Sequence, residues 1–243
     1  MYFGIDLKKK LPNQKAPNPF GPGVALDSEL EGDSFGWGWN LGFLYKASDM
    51  LKFGLTYRSQ VDQKVEGDFD IFLPDGSKLA QKGASGQITL PDLVVAGVAF
   101  KPSQKLSVEI DAVLTRWSTY DRLTINFDDD TSVTSPKEWN DTWRYQFGIE
   151  YALNENLDLR LGYVVDPSPI PDETVDYIAP TNDRKLYSLG LGYKRGAWIY
   201  DVSYTYLDIS PRNIQERPGD FVYDSRQDNG EAHLFGLSIS RRF

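Results

Sequence analysis

The chain has 243 residues, a formal net charge of -9, 40% hydrophobic residues, 14% aromatic residues and no cysteine. Mean hydropathy is -0.44, and no run of about 18 apolar residues occurs, which excludes a transmembrane helix. The lack of cysteine excludes a disulfide framework and thiol chemistry, and the acidic balance argues against the basic surface that nucleic-acid binding requires.

The first ten residues, Met1 to Lys10, have no apolar core preceded by positive charge and so do not read as a secretory signal. Phe3, Ile5 and Leu7 alternate with Gly4 and Asp6, which predicts a strand near 2–8. Further strands are predicted near 36–46, 51–61, 88–100, 106–116, 142–151, 157–165, 185–194, 198–208 and 232–243, about ten in all. Leu51, Phe53, Leu55 and Tyr57 oppose Lys52, Gly54, Thr56 and Arg58. Leu106, Val108, Ile110, Ala112 and Leu114 oppose Ser107, Glu109 and Asp111. Trp143, Tyr145, Phe147, Ile149 and Tyr151 oppose Arg144, Gln146, Gly148 and Glu150. Leu157, Leu159, Leu161, Tyr163 and Val165 oppose Asp158, Arg160 and Gly162, while Trp198, Tyr200, Val202, Tyr204 and Tyr206 enclose Asp201 and Ser203. Side chains of a strand point alternately to opposite faces, so one face is oily and the other carries charge.

One pattern recurs four times, a glycine three residues before an aromatic: Gly42-Phe-Leu-Tyr45, Gly97-Val-Ala-Phe100, Gly148-Ile-Glu-Tyr151 and Gly190-Leu-Gly-Tyr193. A tight turn follows each, and an apolar residue (Leu51, Leu106, Leu157, Trp198) opens the next run. The aromatics fall 55, 51 and 42 residues apart, which fits one hairpin plus one long loop. Runs of about 9 residues suffice for a tilted strand to cross a bilayer. Short turns on one side, long loops on the other and aromatics at the strand ends predict a transmembrane antiparallel up-and-down β-barrel of the outer-membrane type. A soluble sandwich would instead scatter its aromatics along the strands. Residues 1–243 are expected to form a single barrel domain without a separate hatch.

The long connections 62–90, 116–141, 165–184 and 208–231 hold 22 acidic residues against 10 basic ones, a net of -12. Asp128-Asp-Asp130 lacks the spacing of an oxygen-ligand loop and reads as a solvated loop, so no metal site or cofactor is expected. Apolar groups in these loops, Ile71-Phe72-Leu73, Trp139, Tyr177-Ile178 and Phe221-Val222, either form a greasy entry or pack the loops. In the last strand, Phe235, Leu237, Ile239, Arg241 and Phe243 alternate with Gly236, Ser238, Ser240 and Arg242. Residues 233–243 resemble the C-terminal signal read by the barrel assembly machinery, although Arg241 stands where an apolar or aromatic residue is usual.

Several segments together resemble the FadL family of outer-membrane transporters: Gly38-Trp-Asn-Leu-Gly-Phe-Leu-Tyr-Lys46, Leu51-Lys-Phe-Gly-Leu-Thr-Tyr-Arg-Ser59, Thr89-Leu-Pro91, Thr115-Arg-Trp-Ser118, and Arg160-Leu-Gly-Tyr-Val-Val-Asp-Pro-Ser-Pro-Ile-Pro171 followed by Asp183-Arg184. The resemblance runs from about residue 30 to Phe243. It implies a fourteen-stranded barrel plugged by an N-terminal hatch with an Asn-Pro-Ala sequence. This chain has no Asn-Pro-Ala, so it is expected to correspond to the C-terminal part of such a barrel, about ten strands. The resemblance also implies ligand-gated diffusion of long-chain fatty acids or aromatic hydrocarbons across the outer membrane of a Gram-negative bacterium, among outer-membrane lipid and lipopolysaccharide. A porin-like barrel without a dedicated ligand, and a fragment that transports nothing, are the alternatives.

By parity the lumen carries Lys52, Arg58, Arg144, Arg160 and Arg242 against Glu109, Asp111, Glu150, Asp158 and Asp201. Five charges of each sign do not make a one-sign ion filter. With Tyr151 opposite Leu157, Arg160 lies diagonal to both Glu150 and Gln146. Two readings stay open: a salt-bridge ladder that stiffens the tube, or a bidentate site on Arg58, Arg144 or Arg160 for a ligand carboxylate. The candidate ligand-contacting residues are Arg58, Glu109, Asp111, Arg144, Gln146, Glu150, Arg160 and Asp201. His233 is the only histidine and shares the parity of the lipid-facing residues, so catalytic triads and multi-histidine zinc sites have no material, and no enzyme is expected.

Overall fold

A computed structural model of the chain describes residues 2–11, 26–73, 75–177, 179, 181–217, 222–228 and 230–242. The strands run in chain order as β1 (Tyr2–Leu11), β2 (Leu26–Phe35), β3 (Asn40–Lys46), β4 (Leu51–Arg58), β5 (Val61–Phe72), β6 (Lys78–Leu90), β7 (Leu93–Phe100) and β8 (Leu106–Thr115). After a 3-10 turn at Trp117–Thr119 come β9 (Arg122–Phe127), β10 (Ser132–Pro136), β11 (Thr142–Ala152), β12 (Leu157–Asp166), β13 (Arg184–Arg195), β14 (Trp198–Ile209), β15 (Arg212–Ile214), β16 (Ser225–Gln227) and β17 (Gly230–Arg241). They divide between two compact units. One comprises Met1–Gly38, Gln60–Leu90 and Tyr120–Pro136, the other Trp39–Ser59, Pro91–Thr119 and Lys137–Phe243.

The second unit is built on a nine-stranded sheet in the order β17-β14-β13-β12-β11-β8-β7-β4-β3, every ladder antiparallel. Its register carries the sequence alternation across strands. Phe147 faces Tyr163, Tyr163 faces Tyr187, Tyr187 faces Tyr206 and Tyr206 faces His233. Their ring centroids lie 6.4, 5.2, 6.4 and 5.4 Å apart in turn. The same face exposes Phe43, Leu55, Ile110, Leu161, Leu189, Val202 and, at 75%, Leu237. Water would charge about 25 cal/mol for each Å² of such surface, so a continuous face of this kind requires an apolar solvent.

The tight turns are set locally. Gly196, at a φ of 59°, opens the two-residue turn between Arg195 and Trp198. The Ser103 hydroxyl accepts the N–H groups of Lys105 and Leu106, each at 3.2 Å, and Asn154 Oδ1 accepts that of Asn156 at 2.9 Å. Lys46 pairs with Asp49 at 2.6 Å and holds its carboxyl below the usual range.

The connections 165–184 and 208–231 fold into a small core of their own. Ile170, Val175, Ile214 and Val222 are buried together, with Trp139 packed against them. Arg212, only 5% exposed, donates to Asp172 at 2.8 Å and to the carbonyls of Thr181 at 3.0 Å and Ile170 at 2.6 Å. Lys137 is likewise buried and pairs with Asp176. Trp139 and Val222 therefore pack the loops, the second of the two roles open for them. Ile178 and Phe221 lie outside the described residues.

The first unit is a six-stranded antiparallel sheet in the order β1-β2-β5-β6-β9-β10. The segment near 2–8 is a strand, as expected, and pairs with β2. One expectation is corrected in this unit. The connections 62–90 and 116–141 are not loops: they contain the long β5–β6 hairpin and the shorter β9–β10 hairpin. The reason is visible in β5, where Val61, Val65, Phe69 and Ile71 alternate with Asp62, Glu66, Asp68 and Asp70. Its acidic residues mimic a loop composition while keeping the two-residue period of a strand. The Asp128–Asp130 turn closes on protein donors. Asp128 accepts the Gly83 N–H at 3.1 Å, and Lys82 and Thr131 hold the Asp129 carboxyl down at about 2.

Candidate functional site

Two places in the molecule combine apolar surface with defined polar groups. The first is the polar face of the nine-stranded sheet. Glu150 stands directly opposite Arg160, because Tyr151 pairs with Leu159 and not with Leu157. This corrects the expected register by two residues. The four-residue turn closes through the Leu153 N–H to the Leu157 carbonyl at 2.8 Å, leaving Ala152 and Asp158 as the last pair. Gln146 faces Val164 on one side and Asp111 on the other, four pairs away from Arg160 along the ladder.

Arg160 is the centre of the ion network. Its Nε donates to Glu150 at 2.7 Å and its Nη1 to Asp201 at 2.6 Å, while Nη2 lies 3.9 Å from Asp158. Asp158 is nearly buried and is held by Lys194 at 2.6 Å. Asp201 sits two strands from Arg160, so the guanidinium must cross β13. Gly190 and Gly192 make that passage: a Cβ at Gly192 would stand 2.9 Å from Asp201 Oδ1 and 3.0 Å from Arg160 Nη2. Of the glycines that open the repeated motif, Gly190 and Gly97 thus have a physical task on the charged face. At Gly97 a Cβ would meet Asp111 Oδ1 at 2.2 Å.

Of the eight candidates, the structure joins Glu150, Arg160 and Asp201 directly. Gln146 and Asp111 are ladder neighbours, and Gly148 faces Glu109. Arg144 faces Val113, and its Nε is buried without a hydrogen-bond partner. Arg58 is exposed at the end of β4, between Asn40 and Leu93. One feature of this face escapes a charge-based reading. Gln146, Val164, Leu186, Leu207 and Ala232 form a cross-strand row with four apolar members. The row Glu150, Arg160, Gly190, Ser203 and Gly236, nearer the short turns, carries the charge. The signal was a second apolar residue interrupting each alternation, as at Val164-Val165.

The second place is a shallow, half-open apolar cleft in the six-stranded sheet, lined chiefly by Leu30, Val65, Ala84, Ile88, Leu123 and Ile125. Leu123 and Ile125 on β9 lie in a connection that composition presents as acidic loop, which is why the cleft is hidden in sequence. Phe69 and Phe127, 5.3 Å apart, close the same face, and Lys82 lies 5.6 Å over the Phe127 ring.

Comparison with known proteins agrees with this architecture. The long-chain fatty acid transport protein of Escherichia coli O6:H1 is 28% identical over 261 residues, covering 99% of this chain and 58% of that protein. The 47 kDa outer membrane protein of Pasteurella multocida is 27% identical, covering the whole chain and again 58% of the relative. The chain therefore spans about three-fifths of the length of these relatives. The crystal structure of a Pseudomonas aeruginosa FadL homologue superposes with a TM-score of 0.84 at 20% identity, over 98% of this chain and 61% of the other. That of the Pseudomonas putida toluene transporter TodX gives 0.61 at 20% identity, over 90% and 53%. The apolar face of the nine-stranded sheet is accordingly a bilayer-facing wall. The family model described as outer membrane protein transport protein (OMPP1/FadL/TodX) matches residues 6–243, and the chain belongs to that family of outer-membrane β-barrels, corresponding to its C-terminal part.

Proposed function

We propose that this chain forms part of an outer-membrane diffusion channel for hydrophobic compounds, and that its ligands include long-chain fatty acids. The observation that carries the reading is the apolar cleft of the six-stranded sheet. A barrel passing small polar solutes has no use for a cleft lined by Leu30, Val65, Ile88, Leu123 and Ile125. The polar face of the nine-stranded sheet supports it, since an apolar row beside charged rows suits a molecule with an oily body and a charged head. Arg160 is already engaged by carboxylates of the protein, so it stiffens the wall. Arg144, with its orphaned Nε, is the arginine placed to take a ligand carboxylate.

Liposome uptake tests the reading. The chain should admit oleate and toluene in preference to sugars of similar size. Leu123→Asp, which puts a carboxylate in the cleft, should lower uptake of both by about tenfold while the β-sheet circular dichroism persists. Arg144→Gln should affect oleate and spare toluene. Equal passage of sugars and toluene by the unaltered chain would instead identify a porin-like barrel.

A further inference from the structure

The two ends of the nine-stranded sheet carry opposite charge. Segments 45–52, 100–106, 151–157, 193–198 and 240–243, which contain the four tight turns and the end of the chain, hold eight Lys or Arg against Asp49 and Glu155 alone. The connections 165–184 and 208–231, at the sheet's other end, hold the reverse excess, 11 acidic residues against 4 basic ones. Lys46 pairs with Asp49 and Lys194 with Asp158, each at 2.6 Å. Lys101, Lys105, Arg195 and Arg241 are exposed.

Their neighbours place Lys101, Arg195 and Arg241 at a membrane level, and Lys105 lies in the same tight turn as Lys101. Lys101 follows Phe100 directly, and Arg195 and Arg241 both face Trp198 across their ladders. The Arg241 guanidinium lies 5.5 Å over the Trp198 ring. Phe100, Tyr151, Tyr193 and Trp198 are all exposed on the bilayer-facing side. Tyr and Trp settle where hydrocarbon meets headgroups, because each has an apolar body and a polar tip. Cations fixed at that depth beside such rings meet headgroup phosphates rather than bulk water.

We propose that this end of the sheet selects anionic phospholipid headgroups in the leaflet on the short-turn side of the bilayer. Lys101, Lys105, Arg195 and Arg241 supply the charge, and Trp198 is the interfacial anchor. The arrangement accounts for Arg241, which occupies a position in the terminal strand where an apolar residue is usual. It depends on the bilayer-spanning sheet and not on which compound the protein carries. A protein partner docking on the same cations is the competing class, and it would not discriminate between lipids.

The test uses the whole chain in phosphatidylcholine vesicles with trace spin-labelled phosphatidylglycerol or spin-labelled phosphatidylcholine, read as the motionally restricted fraction by electron paramagnetic resonance. At low salt phosphatidylglycerol should be retained about fivefold over phosphatidylcholine. The ratio should fall to about one in roughly 1 M salt, where screening acts within about 3 Å. The K101Q/K105Q/R195Q/R241Q variant should lose the preference, and K185Q/R226Q, altered at the opposite end, should keep it. A ratio near one at low salt, or a preference unchanged in the quadruple variant, overturns the proposal. The salt series on the unaltered chain decides the matter if that variant does not fold.

Discussion

The nine-stranded and the six-stranded sheet are made from the same stretches of chain in matching order, β3, β4, β7, β8 and β11 in one and β2, β5, β6, β9 and β10 in the other. Both alternate with period two, yet their apolar faces are chemically different. The nine-stranded sheet exposes rings and long aliphatics such as Phe53, Tyr145, Leu189 and Phe235 on one face. The six-stranded sheet gathers smaller aliphatics around a cleft and sets carboxylates on the reverse side, with Glu31 opposite Asp68 and Asp33 opposite Glu66. Alternation makes a strand, and the solvent met by its apolar face decides which residues fill it. Lipid excludes charge and favours rings at its boundaries, whereas water on the reverse face accepts even opposed carboxylates.

The contrast is tested hardest on the bilayer-facing wall. Leu189→Lys, set between Leu161 and Tyr204, should destabilise the folded protein in vesicles by about 3 kcal/mol in denaturant titrations. Ser188→Lys, one residue away on the polar face, should cost far less, and equal costs would mean the faces are misassigned. A smaller effect sharpens the polar face itself. Arg160→Gln removes two hydrogen-bonded ion pairs from a partly solvated site and should cost about 1 kcal/mol. Its uptake of toluene should remain, because the residue braces the wall. The smallest change is in the six-stranded sheet, where Glu31→Lys turns a like-charge pair with Asp68 into an opposite pair. It should stabilise by about 0.5 kcal/mol, and the gain should vanish at high salt. Stabilisation that survives high salt would show that charge repulsion is not what the pair contributes.

Much of this was legible in the chain. Trp143 to Tyr151 and Leu157 to Val165 announce their faces residue by residue, and β11 and β12 follow at Thr142–Ala152 and Leu157–Asp166. The repeated Gly-x-x-aromatic motif located the tight turns. Composition misleads on the connections: Asp62, Glu66, Asp68 and Asp70 give β5 the make-up of a loop, although Val61, Val65, Phe69 and Ile71 keep strand period. The Arg160 network was half visible. Its pairing with Glu150 was within reach of a register guess, but the contact with Asp201 depends on two glycines in an intervening strand.

The sequence by itself determined the spanning strands, the division into an oily and a charged face, and the acidic character of the long connections, because all three follow from local periodicity and residue type. Tertiary structure decided the register of β11 against β12, the partner of β1, and the assembly of Leu30, Val65, Ile88 and Leu123 into one cleft. These depend on which strands lie side by side and at what offset. Local sequence leaves that undetermined, since any two alternating strands of matching face can pair, and only the whole set of ladders fixes which do.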